Sequence, residues 1–535
     1  MKARPFLTTL FAAIALLFTS CAPNPYVTAT ESPSPTTSIT ETFTLPTPQH
    51  LYNLWPAPDR STFTVPNVEL PGFANPPAGT GYARYFNQRV EWKPCGSDYE
   101  CATVLAPLDW YAPDGQAITL AMKRLVASET PKLGSLFINS GGPGASVQDY
   151  VAAFKNIGLN QFDIVGLDPR GSGESTGVVC GTTAQTDAFY ALDASPDDEA
   201  ERIALVEGSR VFAKECRDGS GALLDHISTI ETVYDFDMVR QLLGDEKFNY
   251  FGISYGTYIG SVYAELYPHN VGHLVLDAAV NITDRPGVSQ ADGFELALNK
   301  WIEWYTINSS AHQLGTTVAQ VRTTLTDWVM GLDTNPIQVG DRVLTQSLAV
   351  TGLALYFYFG TDYYMTLTDI IEYTIQTRNG AYLLSAADAL NGREDGYWDQ
   401  MGLSFPAIAC LDGGDDGVAQ TWKDWEEIAA RAPFFGNFMG ANTTCVVWSA
   451  KPAAQIDFSG AGAPPIVVIG GTGDNATPYQ YAEWMAAELE SGVLITREGV
   501  GHGSFNAGSS CIDKLVVRYL TQDVTPANGT VCQMG

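Results

Sequence analysis

From about residue 104 to residue 277, short apolar runs that end in glycine-rich turns alternate with stretches of helical patterning. The alternation then stops, and it resumes only at Pro465. Strands separated by helices build a mostly parallel sheet covered on both faces, so the expected fold class is α/β with that sheet at its centre. Val104–Trp110 and Ile118–Val126 read as an opening antiparallel pair around the Pro113-Asp-Gly turn, and Ser135–Asn139 and Phe162–Leu167 as buried parallel strands. A helix is predicted over Thr229–Leu243, a strand over Phe248–Gly252 followed by a helix through Tyr267, and a strand at His273–Asp277. Between Asn281 and Gly462 the pattern is helical: Gly293–Tyr305, Thr316–Met330, Gln346–Phe359 and Tyr364–Gln376. Ser347–Gly360 is apolar enough to raise a membrane helix, but it is short and is interrupted by Thr351 and Gly352, so a buried helix is expected. Strand signals return at Pro465–Gly470 and Gly492–Thr496. The middle of the chain is therefore an insertion between two strands of one sheet.

Two segments match G-x-S-x-G, the strand-to-helix turn that exposes a nucleophilic serine. Gly252–Gly256 places Ser254 after a strand signal and before a helical one; Gly173–Gly177 places Ser175 after the turn Asp168-Pro-Arg-Gly. Context selects Ser254. In an α/β sheet of this kind the acid and then the histidine follow the serine in chain order. Asp474 ends the run Ile466–Gly473, and His502 is the one histidine beyond it: His50, His226, His269, His273 and His312 all precede the acid. Ser254, Asp474 and His502 form the predicted catalytic triad. An oxyanion needs two fixed backbone N–H donors, expected at Tyr255, after the nucleophile, and at Gly141 in the run Ser140-Gly-Gly-Pro-Gly144. That run lacks the Gly-Lys-Ser/Thr ending of a phosphate loop.

The N-terminus carries Lys2 and Arg4, then the apolar run Phe6–Phe18, with Thr19 and Ser20 leading into Cys21. This is the layout of a signal peptide over 1–21 whose cleavage site resembles a bacterial lipobox, with Cys21 as the lipidated residue and simple cleavage as the alternative. Residues 22–85 are rich in Pro, Thr and Ser and read as a tether, with order expected from near Val90. The chain has nine cysteines; removing Cys21 leaves eight, which suits an oxidising compartment. Their grouping suggests Cys95–Cys101, Cys180–Cys216, Cys410–Cys445 and Cys511–Cys532, although eight cysteines permit 105 pairings. No CxxC or HExxH motif marks a metal site. With 29 basic against 59 acidic residues the net charge is −30, which argues against nucleic acid or an anionic membrane surface as partner.

Taken together, Ser140–Gly144, Asp168–Gly173, Gly252–Gly256, Gly473–Pro478 and Gly501–Gly503 resemble the secreted tripeptidyl aminopeptidases, within the prolyl-iminopeptidase-like α/β-hydrolases with a TAP-like C-terminal region. The likeness runs from about Trp92 to Cys532 and includes Trp92–Cys95 and Ala407–Asp412. Ser140 departs from the His that many iminopeptidases carry before Gly-Gly-Pro-Gly, and Asn475-Ala476 from the commoner Pro-Val after the acid. The resemblance implies an α/β-hydrolase core over 86–281 and 463–535, a helical cap over 282–462, and removal of short peptides or single residues from free N-termini without a cofactor. Recognition of a protonated amine calls for carboxylates, for which Glu295, Asp412, Asp415 and Asp416 are candidates. Trp301, Trp304, Tyr356, Phe357, Tyr358 and Tyr364 are candidates for lining the cleft, though their helical spacing equally suits plain packing. The expected activity is that of an extracytoplasmic serine exopeptidase on peptides with a free N-terminus, touching the membrane only through a lipid anchor. An esterase acting on small esters and a non-catalytic envelope binding protein are the alternatives. Oligomeric state is not legible.

Overall fold

The computed structural model describes residues 44–47, 51–52, 64–413, 417–453 and 455–533. The leader and Cys21 lie outside the described residues, as do Asp415 and Asp416. Eleven strands form one sheet. In chain order they are β1 (Phe73–Ala74), β2 (Lys93–Pro94), β3 (Tyr99–Pro107), β4 (Ala117–Leu125), β5 (Ser135–Asn139), β6 (Asp163–Leu167), β7 (Phe248–Ile253), β8 (Val271–Asp277), β9 (Ile466–Gly473), β10 (Gly492–Val500) and β11 (Thr530–Gln533). Their spatial order is β11-β10-β9-β8-β7-β5-β6-β4-β3-β2, with β1 on β4. From β11 to β6 every pairing is parallel; β4, β3, β2 and β1 add antiparallel strands at the other side. This is the α/β-hydrolase sheet. The mostly apolar runs of β5 and β7 are buried on both faces, as parallel strands are, with only Asn249 and Ile253 of β7 half-buried.

Helix α1 (Glu199–Ser220) leads into α2 (Thr229–Leu243), and α3 (Tyr255–Leu266) follows β7. The predicted range of α2 holds because both ends carry a stop signal: Ser228 accepts from Glu231 N, and Gly244 turns left-handed at φ 81°. α1 was not anticipated. It belongs to an excursion between β6 and β7 that Cys180–Cys216 closes. The other three pairs form as grouped, Cys95–Cys101, Cys410–Cys445 and Cys511–Cys532.

The insertion leaves the sheet after β8 and returns at β9, which pairs with β8 in parallel from Ile466 opposite Leu274. It comprises α4 (Gln290–Asn308), α5 (Val318–Thr334), α6 (Gln346–Phe357), α7 (Tyr364–Thr377), α8 (Ala381–Asn391), α9 (Gln400–Asp412) and α10 (Val418–Arg431), with two short hairpins at 337–344 and 393–398. It has its own apolar core, in which Trp301, Tyr305, Leu325, Leu353, Leu367 and Phe435 are buried. Helix α6 is the apolar stretch that raised a membrane span; it is buried in that core, and among the described residues no helix is long and apolar enough to cross a membrane.

The tether expected over 22–85 is shorter than the composition implied. Leu51–Tyr52 pairs with Gln455–Ile456, the Tyr234 hydroxyl donates to Pro46 O at 2.8 Å, and β1 pairs with β4. Tyr85 and Phe86 are buried, and the Tyr82 ring stacks on Trp110 at 6.1 Å. A few apolar anchors suffice to dock an extended segment on a sheet edge, and an average over Pro- and Thr-rich sequence conceals them.

The Asp168-Pro-Arg-Gly turn is scaffold. Asp168 accepts from the backbone N–H groups of Val147, Gln148 and Glu174. Arg170, fully buried, donates two bonds to Asp235 at 2.7 and 2.8 Å and others to the carbonyls of Pro107, Leu108 and His226. It ties the antiparallel side of the sheet to α2. Removing one partner of a buried pair strands the other charge, so Arg170→Ala is expected to cost about 3–5 kcal/mol in chemical denaturation, with Asp235 left uncompensated.

Candidate active site

β7 delivers the chain to Ser254, which sits at φ 57°, ψ −127° as the cap residue of α3. That region is costly for a residue with a Cβ and is tolerated only where the surroundings over-determine it. Here they do. Ser254 N donates to Asp277 O at 3.0 Å, and Thr257 returns bonds from its N and Oγ1 to Ser254 O. A Cβ on Gly252 would lie 2.4 Å from Gly256 O, and one on Gly256 would lie 2.9 Å from Asn139 Oδ1, so the flanking glycines are steric requirements. Ser175, the competing match, is buried, donates to Asp168 O and accepts from Ala121 N.

Asp474 follows β9 and His502 follows β10, on adjacent parallel strands. His502 Nδ1 lies 2.9 and 3.1 Å from the two Asp474 oxygens. Asp474 is buried and also accepts from Ala476 N at 3.0 Å, Thr477 N at 2.8 Å and Gly503 N at 3.3 Å. Burial works to raise its pKa, but His502 and these backbone donors outweigh it and hold the carboxyl below its usual value. The histidine loop is fixed from below: Asp277 accepts from Ser504 N and Phe505 N, and buried Arg497 donates to Val500 O and Gly501 O. From above, His502 N donates to Tyr358 O at 3.0 Å, and the Tyr358 ring meets the imidazole edge-on at 5.2 Å.

Ser254 and His502 border one cleft of about 910 Å³ between sheet and cap. Its walls include Gly142, Pro143, Tyr255 and Tyr358, and also Tyr190 and Leu192 from the excursion before α1. The covering of the cleft is therefore built from two insertions, of which the sequence pattern reveals one. The α1 side carries the signal of a disulfide-closed loop, but its apolar residues gave no distinctive period.

Gly141 does not present a free donor. Its N–H bonds Asn139 Oδ1 at 2.9 Å, an Asx turn from residue 139 to 141, and the residue packs against Ser254 Cβ and Ile253 O. The neighbouring Gly142 lines the cleft instead, and among the described residues neither its N–H nor that of Tyr255 is given a hydrogen-bond partner by the fold. An asparagine two residues before a glycine is the sequence signal that distinguishes them. Glu295 is likewise withdrawn: its carboxylate accepts from Phe434 N and Phe435 N and pairs with Arg322 at 2.8 Å, away from the cleft. Asp412 does border the cleft. Of the six aromatic candidates only Tyr358 does so; Trp301, Trp304, Tyr356, Phe357 and Tyr364 belong to the cap core.

Among the described residues, two groups of side chains have ligand atoms close enough to share a metal ion, Asp109–His226–Glu231 and Asp193–Glu201–Asp333. In the first, Glu231 is already shared by His226 at 3.2 Å, Trp110 N at 3.4 Å and Arg170 at 3.6 Å. Neither group includes a residue of the Ser254 cleft.

Comparison with known proteins agrees with this geometry. A family model described as alpha/beta hydrolase fold matches residues 134–369, and one described as TAP-like protein matches 432–532. The chain is 34% identical to serine protease Hip1 of Mycobacterium tuberculosis over 83% of its own length and 91% of that protein. It is 27% identical to tripeptidyl aminopeptidase of Streptomyces lividans, covering 85% of this chain and 88% of that one. Carboxylesterase B of Mycobacterium tuberculosis is 34% identical over 81% of this chain and 86% of its own.

Ser254→Ala is expected to abolish labelling by a fluorophosphonate probe, whereas Ser175→Ala retains labelling and loses only stability. Asp474→Asn, which presents the wrong partner to the imidazole, is expected to lower turnover of a small ester about 10⁴-fold in a folded protein. The depressed Asp474 pKa contributes stability that is present above the ordinary carboxylate pKa and lost as pH falls through the folded value. The same variant is therefore expected to flatten the acid limb of the stability profile below about pH 4.

Proposed function

We propose that this chain, which belongs to the α/β-hydrolase-fold family of TAP-like serine hydrolases, is an extracytoplasmic serine exopeptidase that releases short peptides or single residues from free N-termini. The observation that supports this most is the Asp474–His502 pair sharing a capped, largely apolar cleft with Ser254. His502, held at Nδ1 by Asp474, takes the Ser254 proton at Nε2 as Oγ attacks the scissile carbonyl. The N–H groups of Gly142 and Tyr255 receive the oxyanion. Collapse of the tetrahedral intermediate sends the His502 proton to the departing amine and leaves an acyl-enzyme on Ser254, which water hydrolyses with His502 again as base. No step calls on a metal or organic cofactor. The division into a core over 86–281 and 463–535 and a cap over 282–462 serves this reading, with the excursion before α1 sharing the work of enclosing the substrate.

The esterase reading draws on the 34% identity to a protein named carboxylesterase B. Turnover of N-terminally free against N-acetylated peptide anilides separates the two: the exopeptidase is expected to prefer the free amine at least about 100-fold, and equal rates would overturn it.

Four disulfides support a site of action outside the cytoplasm. With Cys21 as lipid attachment point, Cys21→Ser is expected to move the protein from the membrane fraction to the soluble one in the native host; an unchanged distribution would remove the anchor.

A further inference from the structure

The cleft has a lopsided charge census. Among the described residues that border it, the ionisable side chains apart from tyrosines are Asp284, Asp412 and His502, with no lysine or arginine. Asp284 is exposed, on the segment that leads from β8 to the cap. Asp412, the last residue of α9, is half-buried, and no described cation pairs with it. Glu295 and Asp235 are each matched by an arginine, and Asp168 and Glu265 are held by neutral donors away from the cleft; Asp412 differs from all four in bordering the cleft.

Asp412 is held rigidly. Oδ1 accepts from Thr229 N at 2.8 Å, and Oδ2 accepts from Thr229 Oγ1 at 2.5 Å and from the Tyr255 hydroxyl at 3.2 Å. Its main chain is fixed as well, since Gln455 Nε2 donates to Asp412 O and the neighbouring Cys410 is bonded to Cys445. An ionised carboxylate offers about four acceptor sites. Three are taken, and the group still lacks a counter-charge. The N-terminus of α2, whose first N–H is that of Thr229, supplies partial positive charge, and a cation on the free site would complete the neutralisation.

The spacing from the nucleophile is set by Tyr255. Its backbone follows Ser254, and its hydroxyl touches the Asp412 carboxylate. A tyrosine side chain plus one hydrogen bond spans about the length of two to three residues of extended peptide at ~3.3 Å each.

We propose that Asp412 is the anchor for the substrate's α-ammonium group, taking it on the free acceptor site of its carboxylate and so fixing how many residues lie between the N-terminus and the scissile bond. The proposal rests on the exopeptidase reading above. Burial raises the Asp412 carboxyl to about 6, so it is ionised at neutral pH and able to act as the partner of an ammonium.

The test compares kcat/KM for a free-amine tripeptide p-nitroanilide, its N-acetyl counterpart and a p-nitrophenyl ester, in the wild type and in Asp412→Asn. The expected result is a wild type that prefers the free amine, and a variant whose free-amine to acetyl ratio falls about 10–100-fold through KM, the worth of one charge-assisted hydrogen bond. A proportional fall on all three substrates would overturn the anchor and leave Asp412 as a support for Tyr255. Retention of the ratio in Asp412→Asn, or its collapse in Asp284→Asn instead, would also overturn it. A wild type indifferent to acetylation would sink the exopeptidase reading itself, a distinct outcome. Should Asp412→Asn fail to fold, the wild type with free-amine anilides of one to four residues decides: a preference for two or three supports the anchor, and a preference for one overturns it.

Discussion

The hydrogen bonds between Val271–Asp277 and Ile466–Gly473 join two parts of the chain that lie on either side of the whole helical insertion, and the site hangs on that seam. Asp277 closes the first strand; its carbonyl accepts from Ser254 N and its carboxylate from Ser504 N and Phe505 N. One residue thus fixes both the serine turn and the segment that carries the histidine. Asp474 closes the second strand and holds the imidazole. Were the insertion's ends to part by even one register, serine, acid and histidine would separate together. Parallel pairing of mostly apolar strands resists this, because a slip would expose the buried side chains of both faces.

The parts of this arrangement that were legible in the sequence are those in which the local pattern and the tertiary role coincide. Ser254 lies between a strand signal and a helix signal because the turn itself needs both, and the α2 boundaries are written in Ser228 and Gly244. His502 could be found by order along the chain alone. What stayed hidden depended on partners remote in sequence. Gly141 and Gly142 are equivalent as letters, and only the Asn139 side chain decides which N–H remains free. Glu295 and Asp412 are two acidic residues on helices until Arg322 and the backbone of Phe434 and Phe435 satisfy the first and leave the second facing the cleft. The segment from Phe73 to Phe86 reads as tether because composition averages over the few side chains that dock it.

Buried charge is unevenly distributed in this molecule. In the scaffold several of these charges are matched, Arg170 with Asp235, Arg240 with Asp237 and Arg322 with Glu295, while Asp168 and Glu265 are held by neutral donors. Such pairs contribute a defined geometry more than net stability. Among the described residues that border the cleft the only non-tyrosine ionisable groups are two carboxylates and the imidazole, in a chain of net charge −30. An acidic surface around an acidic cleft draws in cations and repels acidic peptides before any contact is made.

The bond from His502 N to Tyr358 O has a mechanical consequence. A roof that is nailed to the hearth cannot be lifted to feed the fire. The general base takes part of its main-chain support from the insertion, so swinging the insertion clear of the sheet would leave the imidazole held from the sheet side alone. Opening the insertion and keeping the imidazole fully supported are therefore opposed, and a hinge motion large enough to break this bond would release the histidine from its cap-side hold.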